Sequence, residues 1–195
     1  MKKVTLLLLF FLLTGVSVTF AQKKEKVKGN RIVKFIQTPV QPYTTLEIGE
    51  DLEVYLVQGQ APMVEVEADE NLHEVINFTA SAGRLIVQTT KRISSYKELK
   101  IRIYHTGTLN KIIAKDEVKI HSLSDISLGK LDIEATNATE LYLTLRADAF
   151  KLTASERTRA ELNLTSDNAV FTLNDNAKIE ALFNGGQYSI DMYQD

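Results

Sequence analysis

The segment LTASERTRAELNLTSDNAVFTLNDNAKIEALF, Leu152 to Phe183, alternates short apolar pairs with clusters of Ser, Thr, Asn, Asp and Glu. Read outward in both directions, the chain resembles itself. Ile113, Ile133, Leu152 and Leu173 are separated by 20, 19 and 21 residues, and Ile120, Leu141, Leu162 and Ala181 by 21, 21 and 19. Between the two series fall polar turns at Ala114–Val118, Ala135–Leu141, Ala154–Leu162 and Asn174–Ile179. Further apolar patches follow at Ile126/Leu128, Leu145/Ala147 and Val170. A repeat of about 20 residues that cannot bury its apolar face alone, but can when stacked on its neighbour, predicts a β-solenoid over 109–195. Such a stack is right-handed and β-helix-like, in coils of roughly 20 residues. It makes Glu140 and Glu161 repeat equivalents.

The alternative is an antiparallel β-meander or sandwich, because strand starts near Leu131, Leu141, Phe150, Leu162, Phe171 and Ile179 fit a spacing of roughly 8 to 12 residues. A meander needs tight two-residue turns, yet no glycine lies between Gly129 and Gly185. Asn and Asp suit the left-handed positions of wider corners. Asn184-Gly185-Gly186 reads as a hairpin turn that folds Tyr188–Tyr193 back as a cap.

Residues 35–108 show period-two patterns at Leu46/Ile48, Leu52/Val54/Leu56, Val64/Val66/Ala68, Leu85/Val87 and Leu99/Ile101/Ile103. Each puts apolar side chains on one strand face. Gly49-Glu50-Asp51, Gln58-Gly59-Gln60 and Ala82-Gly83 are the candidate hairpin turns. One short helix is predicted at Asp69–Ile76, from its Asp start and the Leu72/Ile76 pair. The domain is thus all-β, an antiparallel region with one short helix preceding the repeats.

The N-terminus combines Met1-Lys-Lys, the apolar run Leu6–Leu13 and a small residue, Ala21, before a cut at Gln22. This is the pattern of a cleaved export signal over 1–21, with a retained anchor as its competitor. Its loss removes Lys2 and Lys3 from a chain of net charge −2. That charge excludes a nucleic-acid partner, which would need a concentrated basic surface. The absence of cysteine excludes disulfides, thiolate metal sites and lipidation at an N-terminal Cys. Residues 22–34, with Lys23, Lys24, Lys26, Lys28 and Arg31, read as a solvated basic leader or a tether to an anionic membrane surface.

From Phe35 onward the chain resembles the head GIN domain family of putative auto-transporter adhesins, common in Bacteroidetes. The resemblance rests on the order of Tyr43-Thr-Thr-Leu-Glu-Ile-Gly49, Leu52-Glu-Val-Tyr-Leu-Val-Gln-Gly59, Val66-Glu-Ala-Asp-Glu-Asn-Leu72, Leu85-Ile-Val87 and Leu109-Asn-Lys-Ile-Ile-Ala114. It implies an exported β-domain, in the periplasm, at the outer-membrane surface or secreted, with an adhesive or binding role. The family's small Ser-Gly-Ala-Ser turns are replaced here by charged ones.

Catalytic chemistry finds little to use. Glu140 and Glu161, on adjacent coils, would stand close enough for a glycosidase pair. No Trp or neighbouring His marks them out. His73, His105 and His121 are scattered, no calcium loop occurs, and no cofactor motif is present. The reading is therefore a non-enzymatic binding module for a glycan or a protein. A purely structural spacer or assembly domain is the alternative, with a polysaccharide-active enzyme as a less favoured third. Outward Thr158, Arg159, Glu161, Asn163 and Thr165 would form the module's face, and Arg157, Arg159, Glu161 and Asn163 are the candidate binding residues. Self-assembly through the open solenoid end or an edge strand is a further expectation.

Overall fold

Strict alternation of apolar and polar side chains, with β-branched residues in the apolar places, makes nearly every element of this chain a strand. The structure, a computed structural model, describes residues 24–193. The export signal and its junction at Ala21 and Gln22 lie outside the described residues. Nine strands precede the repeats: β1 (Lys26–Lys28), β2 (Val33–Pro39), β3 (Thr45–Ile48), β4 (Glu53–Gln58), β5 (Met63–Asp69), β6 (Ile76–Ser81), β7 (Arg84–Thr89), β8 (Arg92–Ser95) and β9 (Leu99–His105). Six follow: β10 (Lys111–Ala114), β11 (Lys119–Ser122), β12 (Ile126–Ala135), β13 (Glu140–Ala154), β14 (Arg159–Asn174) and β15 (Lys178–Tyr193).

Thirteen strands form one curled sheet, and β1 and β8 form a separate parallel pair. Within the repeats every pairing is parallel. One arm of the stack runs β7, β3, β10, β12 and the second halves of β13, β14 and β15. The other runs β9, β4, β11 and the first halves of the same long strands. Antiparallel strands finish one end only: β6 on β7, and β5 with β2 on β9.

The core is built of columns. Leu85, Leu46, Ile112, Ile133, Leu152 and Phe171 sit on one another in register, and all are buried. Val54, Ile120, Leu141 and Ala160 make the matching column on the other arm. The true offsets are thus 21 residues and then 19, which corrects the series proposed above. Ile112, not Ile113, lies under Ile133. Leu141 meets Ala160, while Leu162 belongs with Leu143. The slip from Ala160 to Leu162 is two residues and keeps the same face inward, so alternation alone could not expose it; the slip from Ile112 to Ile113 is one, within the run Ile112-Ile113-Ala114 that has no alternation to read.

The arms join at corners in which two successive residues have positive φ: Glu50/Asp51, Asp116/Glu117, Asn137/Ala138, Glu156/Arg157 and Asp175/Asn176. Side chains with a Cβ adopt this conformation at a cost. The corners recover it from one another, because Asp51 N–H donates to Asp116 O, Glu117 to Asn137, Ala138 to Glu156 and Arg157 to Asp175, at 2.8 to 3.1 Å. Below the corners, buried Thr139 and Thr158 donate their hydroxyls back to Thr136 O and Ser155 O, each at 2.6 Å. Thr158, expected on the outer face, is therefore an inward residue that closes its corner.

Three further expectations change. Of the candidate hairpins only Ala82-Gly83 is one, joining β6 to β7; Gly49–Asp51 is a corner, and β5 pairs with β9 rather than β4. The Asp69–Ile76 helix is a single 3-10 turn, Glu70–Leu72, before β6 takes over at Ile76. Asn184-Gly185-Gly186 makes no hairpin, since β15 runs through it in parallel register with β14. There the strand bends and the backbones close up. A Cβ on Gly185 would overlap Ser166 O, and one on Gly186 would come within 2.7 Å of Asp167 O.

The basic leader is docked rather than loose. Asp69 is fully buried, and its carboxylate accepts N–H bonds from Arg31, Lys97 and Glu98. Burial alone would raise its pKa; these donors outweigh that and hold it below the usual carboxylate value. Asn71 adds Nδ2–H to Lys28 O, and Lys24 pairs with Glu50 at 2.7 Å.

Gly185→Ala is expected to lower unfolding stability by about 1–3 kcal/mol, by overpacking, while Gly107→Ala, which meets nothing within 4 Å, leaves it unchanged in denaturant titration. Asp69→Asn is expected to free the leader, accelerating tryptic cleavage at Lys28 and Arg31. In wild type the stabilisation from Asp69 is present above the ordinary carboxylate pKa and fades as pH falls through its lowered folded value.

Candidate functional site

Because rungs repeat in register, the outer face is also organised in columns, and their chemistry follows from which residues stack. Glu53, Lys119, Glu140 and Arg159 form a column in which charge alternates from rung to rung, until Lys178 ends it beside Arg159 as a second cation. Lys119 Nζ lies 3.2 Å from Glu140, whose other neighbour along the strand is Tyr142, donating its hydroxyl at 2.8 Å. That hydrogen bond, reinforced by Lys119, holds the Glu140 carboxyl below its usual range, and Glu140 in turn raises Tyr142 and Lys119. The arrangement neutralises itself.

The adjacent column begins in the same way and ends differently. It runs Glu65, Arg102, Tyr55, His121, Tyr142, Glu161 and Glu180. At its capped end, Glu65 is buried and ion-paired to Arg102, with Gln37 donating at 2.9 Å. Burial opposes ionisation, yet these partners bring the Glu65 pKa down. The middle is a stack of three rings. Tyr55 and His121 lie 5.2 Å apart at 21°, and His121 and Tyr142 lie 4.8 Å apart at 9°. Lys100 Nζ sits 5.4 Å from the Tyr55 ring centre.

Beyond Tyr142 the stack stops, and two carboxylates, Glu161 and Glu180, occupy successive rungs. Like charges facing each other across a ladder are unfavourable. Among the described residues neither has an ion-pair partner. Around them opens a groove of about 590 Å³, with His121, Tyr142, Thr144, Asn163 and Leu182 on its walls.

The four sequence-nominated residues divide between two places. Glu161 and Asn163 line this groove, and Arg159 continues the neutralised column beside it. Arg157 projects from a corner, lining a separate hollow of about 260 Å³ with Asp116, Glu117 and Asn137. The Glu140/Glu161 pair is not a pair. Register sets Glu140 beside Arg159 and Glu161 beside Tyr142, two residues out of step. Sequence reasoning missed His121, Tyr142 and Glu180. The 21-then-19 offset, which alone puts Tyr142 between His121 and Glu161, would have found them. Among the described residues no group of three or more His, Asp or Glu is placed to hold a metal.

Tyr142→Phe is expected to raise the Glu140 titration midpoint, read by carboxyl carbon NMR, because the largest influence lowering it is the phenol donor.

A family model described as "Putative auto-transporter adhesin, head GIN domain" matches residues 42–182. No curated protein matches the chain. Among solved structures, a putative adhesin from Bacteroides fragilis is similar at TM-score 0.56 and 14% identity, covering 86% of this chain and 100% of that one. A putative lipid binding protein from Parabacteroides distasonis is similar at TM-score 0.58 and 12% identity, covering 87% and 97%. A putative adhesin from Parabacteroides merdae reaches TM-score 0.48 at 11% identity, covering 87% and 99%.

Proposed function

The chain belongs to the head GIN domain family of putative auto-transporter adhesins, and from that premise we propose that it is an exported, non-enzymatic β-solenoid that binds a saccharide in the groove beside Tyr142. The observation that carries this reading is the interrupted column. Tyr142 has one ring face packed on His121 and the other turned toward Glu161, where no further ring continues the stack. A pyranose has what that place lacks: an apolar C–H face to lie on the phenol ring and hydroxyls at its edge. Glu161 and Glu180 accept those hydroxyls, and the Asn163 amide both donates and accepts.

The sign of the groove narrows the ligand. Two carboxylates without cationic partners favour a neutral or amino-bearing saccharide and repel sulfated or uronic-acid glycans.

The test is a glycan array probed with the exported protein and with Tyr142→Ala and Glu161→Gln. Binding to neutral or amino-bearing glycans, reduced about tenfold by either substitution, an effect of ~1.4 kcal/mol, is the expected outcome. Preference for acidic glycans, or binding untouched by both substitutions, would rule this groove out. Silence on glycans with binding to matrix proteins would transfer the role to a protein ligand, and silence on both would leave a spacer.

A further inference from the structure

The stack has two unlike ends. At one, β6, β5 and β2 turn antiparallel and cover the first rungs. At the other, β15 presents a full 16-residue strand paired on one side only, to β14. Its inward positions carry on the core columns without interruption: Ile179 under Ala160, Phe183 under Leu164, Tyr188 under Ala169, Ile190 under Phe171 and Met192 under Leu173. In the preceding rung most of these places are buried, whereas Tyr188 is 65% exposed, Ile190 53% and Met192 76%. A core column that ends in exposed apolar side chains is a column prepared for another rung.

Edge strands are ordinarily blunted by Lys, Pro or a short length. β2, at the capped end, follows that rule with Lys34, Pro39 and seven residues. β15 does not. Its charges are Lys178, Glu180 and Asp191, it has no proline, and it is the longest edge the sheet offers.

We propose that β15 is the interface of a two-fold homodimer, pairing antiparallel with β15 of a second copy. Length decides the partner. β2 has seven residues and β6 six, so neither edge satisfies sixteen; another β15 does so along its whole length. A two-fold contact also closes on itself, using in each copy the edge of β15 that is unpaired among the described residues. The pairing is independent of any saccharide, but Glu180 and Leu182 belong to both β15 and the groove wall. Dimerisation would therefore set two grooves beside one junction, and two modest sites would act together through effective concentration.

The chain has no cysteine, so single thiols report the contact cleanly. The exported protein is examined by sedimentation velocity over a wide concentration range, and Gln187→Cys, next to the two-fold axis of a full-length antiparallel β15 pair, and Lys34→Cys are treated with a short bifunctional maleimide. A monomer–dimer equilibrium, with covalent dimers from Gln187→Cys and none from Lys34→Cys, is the expected result. The double substitution Tyr188→Lys and Ile190→Lys should weaken association at least about tenfold. Far-ultraviolet circular dichroism checks that the remaining strands are intact. A monomer at every concentration, cross-linking through Lys34→Cys, or a ladder of higher oligomers would overturn the proposal.

Discussion

Everything in this protein depends on successive rungs lying in register, each one presenting the same alternation to the one before. Register makes columns, and columns do two jobs at once. Inward, they turn single leucines and isoleucines into continuous files such as Leu46, Ile112, Ile133 and Leu152, each buried by its neighbours in the stack. No rung has enough apolar surface to close a core alone, which is the general condition of repeat proteins. The corners hold the register. Their paired left-handed residues are locally unfavourable, but they aim one peptide N–H at the next corner's carbonyl, so conformational cost at each corner is tied to a bond between rungs.

The outer face inherits the same order, and there it becomes informative where it fails. A column that alternates Glu53, Lys119, Glu140 and Arg159, and breaks the alternation only at Lys178 on the last rung, is mostly what a stable surface ladder looks like. The neighbouring column departs from it by degrees: a buried, fully partnered Glu65 at one end, three stacked rings in the middle, and two like-charged acids at the other end. Repetition supplies the background against which Tyr142, Glu161 and Glu180 stand out. The groove lies at the change from ring to carboxylate.

The all-β class was legible in the alternation of apolar residues, which is what strands with one buried face require. The register was not. Ala160 and Leu162 are both apolar and two apart, a shift that leaves every face unchanged, whereas Ile112 and Ile113 are neighbours in the unbroken apolar run Ile112-Ile113-Ala114, where alternation marks no inward face. Thr158 misled because threonine suits an exposed strand; what buries it is the need of a corner carbonyl for a donor. Gly185-Gly186 carried the composition of a hairpin turn, whereas the glycines answer to a close approach of β14, a demand made by a strand 19 residues away. Asp69 read as a helix start, and it serves instead as the acceptor that fixes the leader, its donors coming from Arg31, Lys97 and Glu98. For the glycines and for Asp69 the missing information was a tertiary contact, which no window of sequence contains. For the groove, Glu161 and Asn163 were visible as outward residues, but their aromatic neighbours waited on the register.

The direction of the rung-to-rung hydrogen bonds has a mechanical meaning. They run along the axis of the stack, so tension along that axis opposes them directly instead of shearing strands past one another. β15, held along one edge, would peel away first, then β14, each release paying out one rung of chain while the remaining rungs keep their shape. Such a body yields to load in steps set by its corners, lengthening before it lets go.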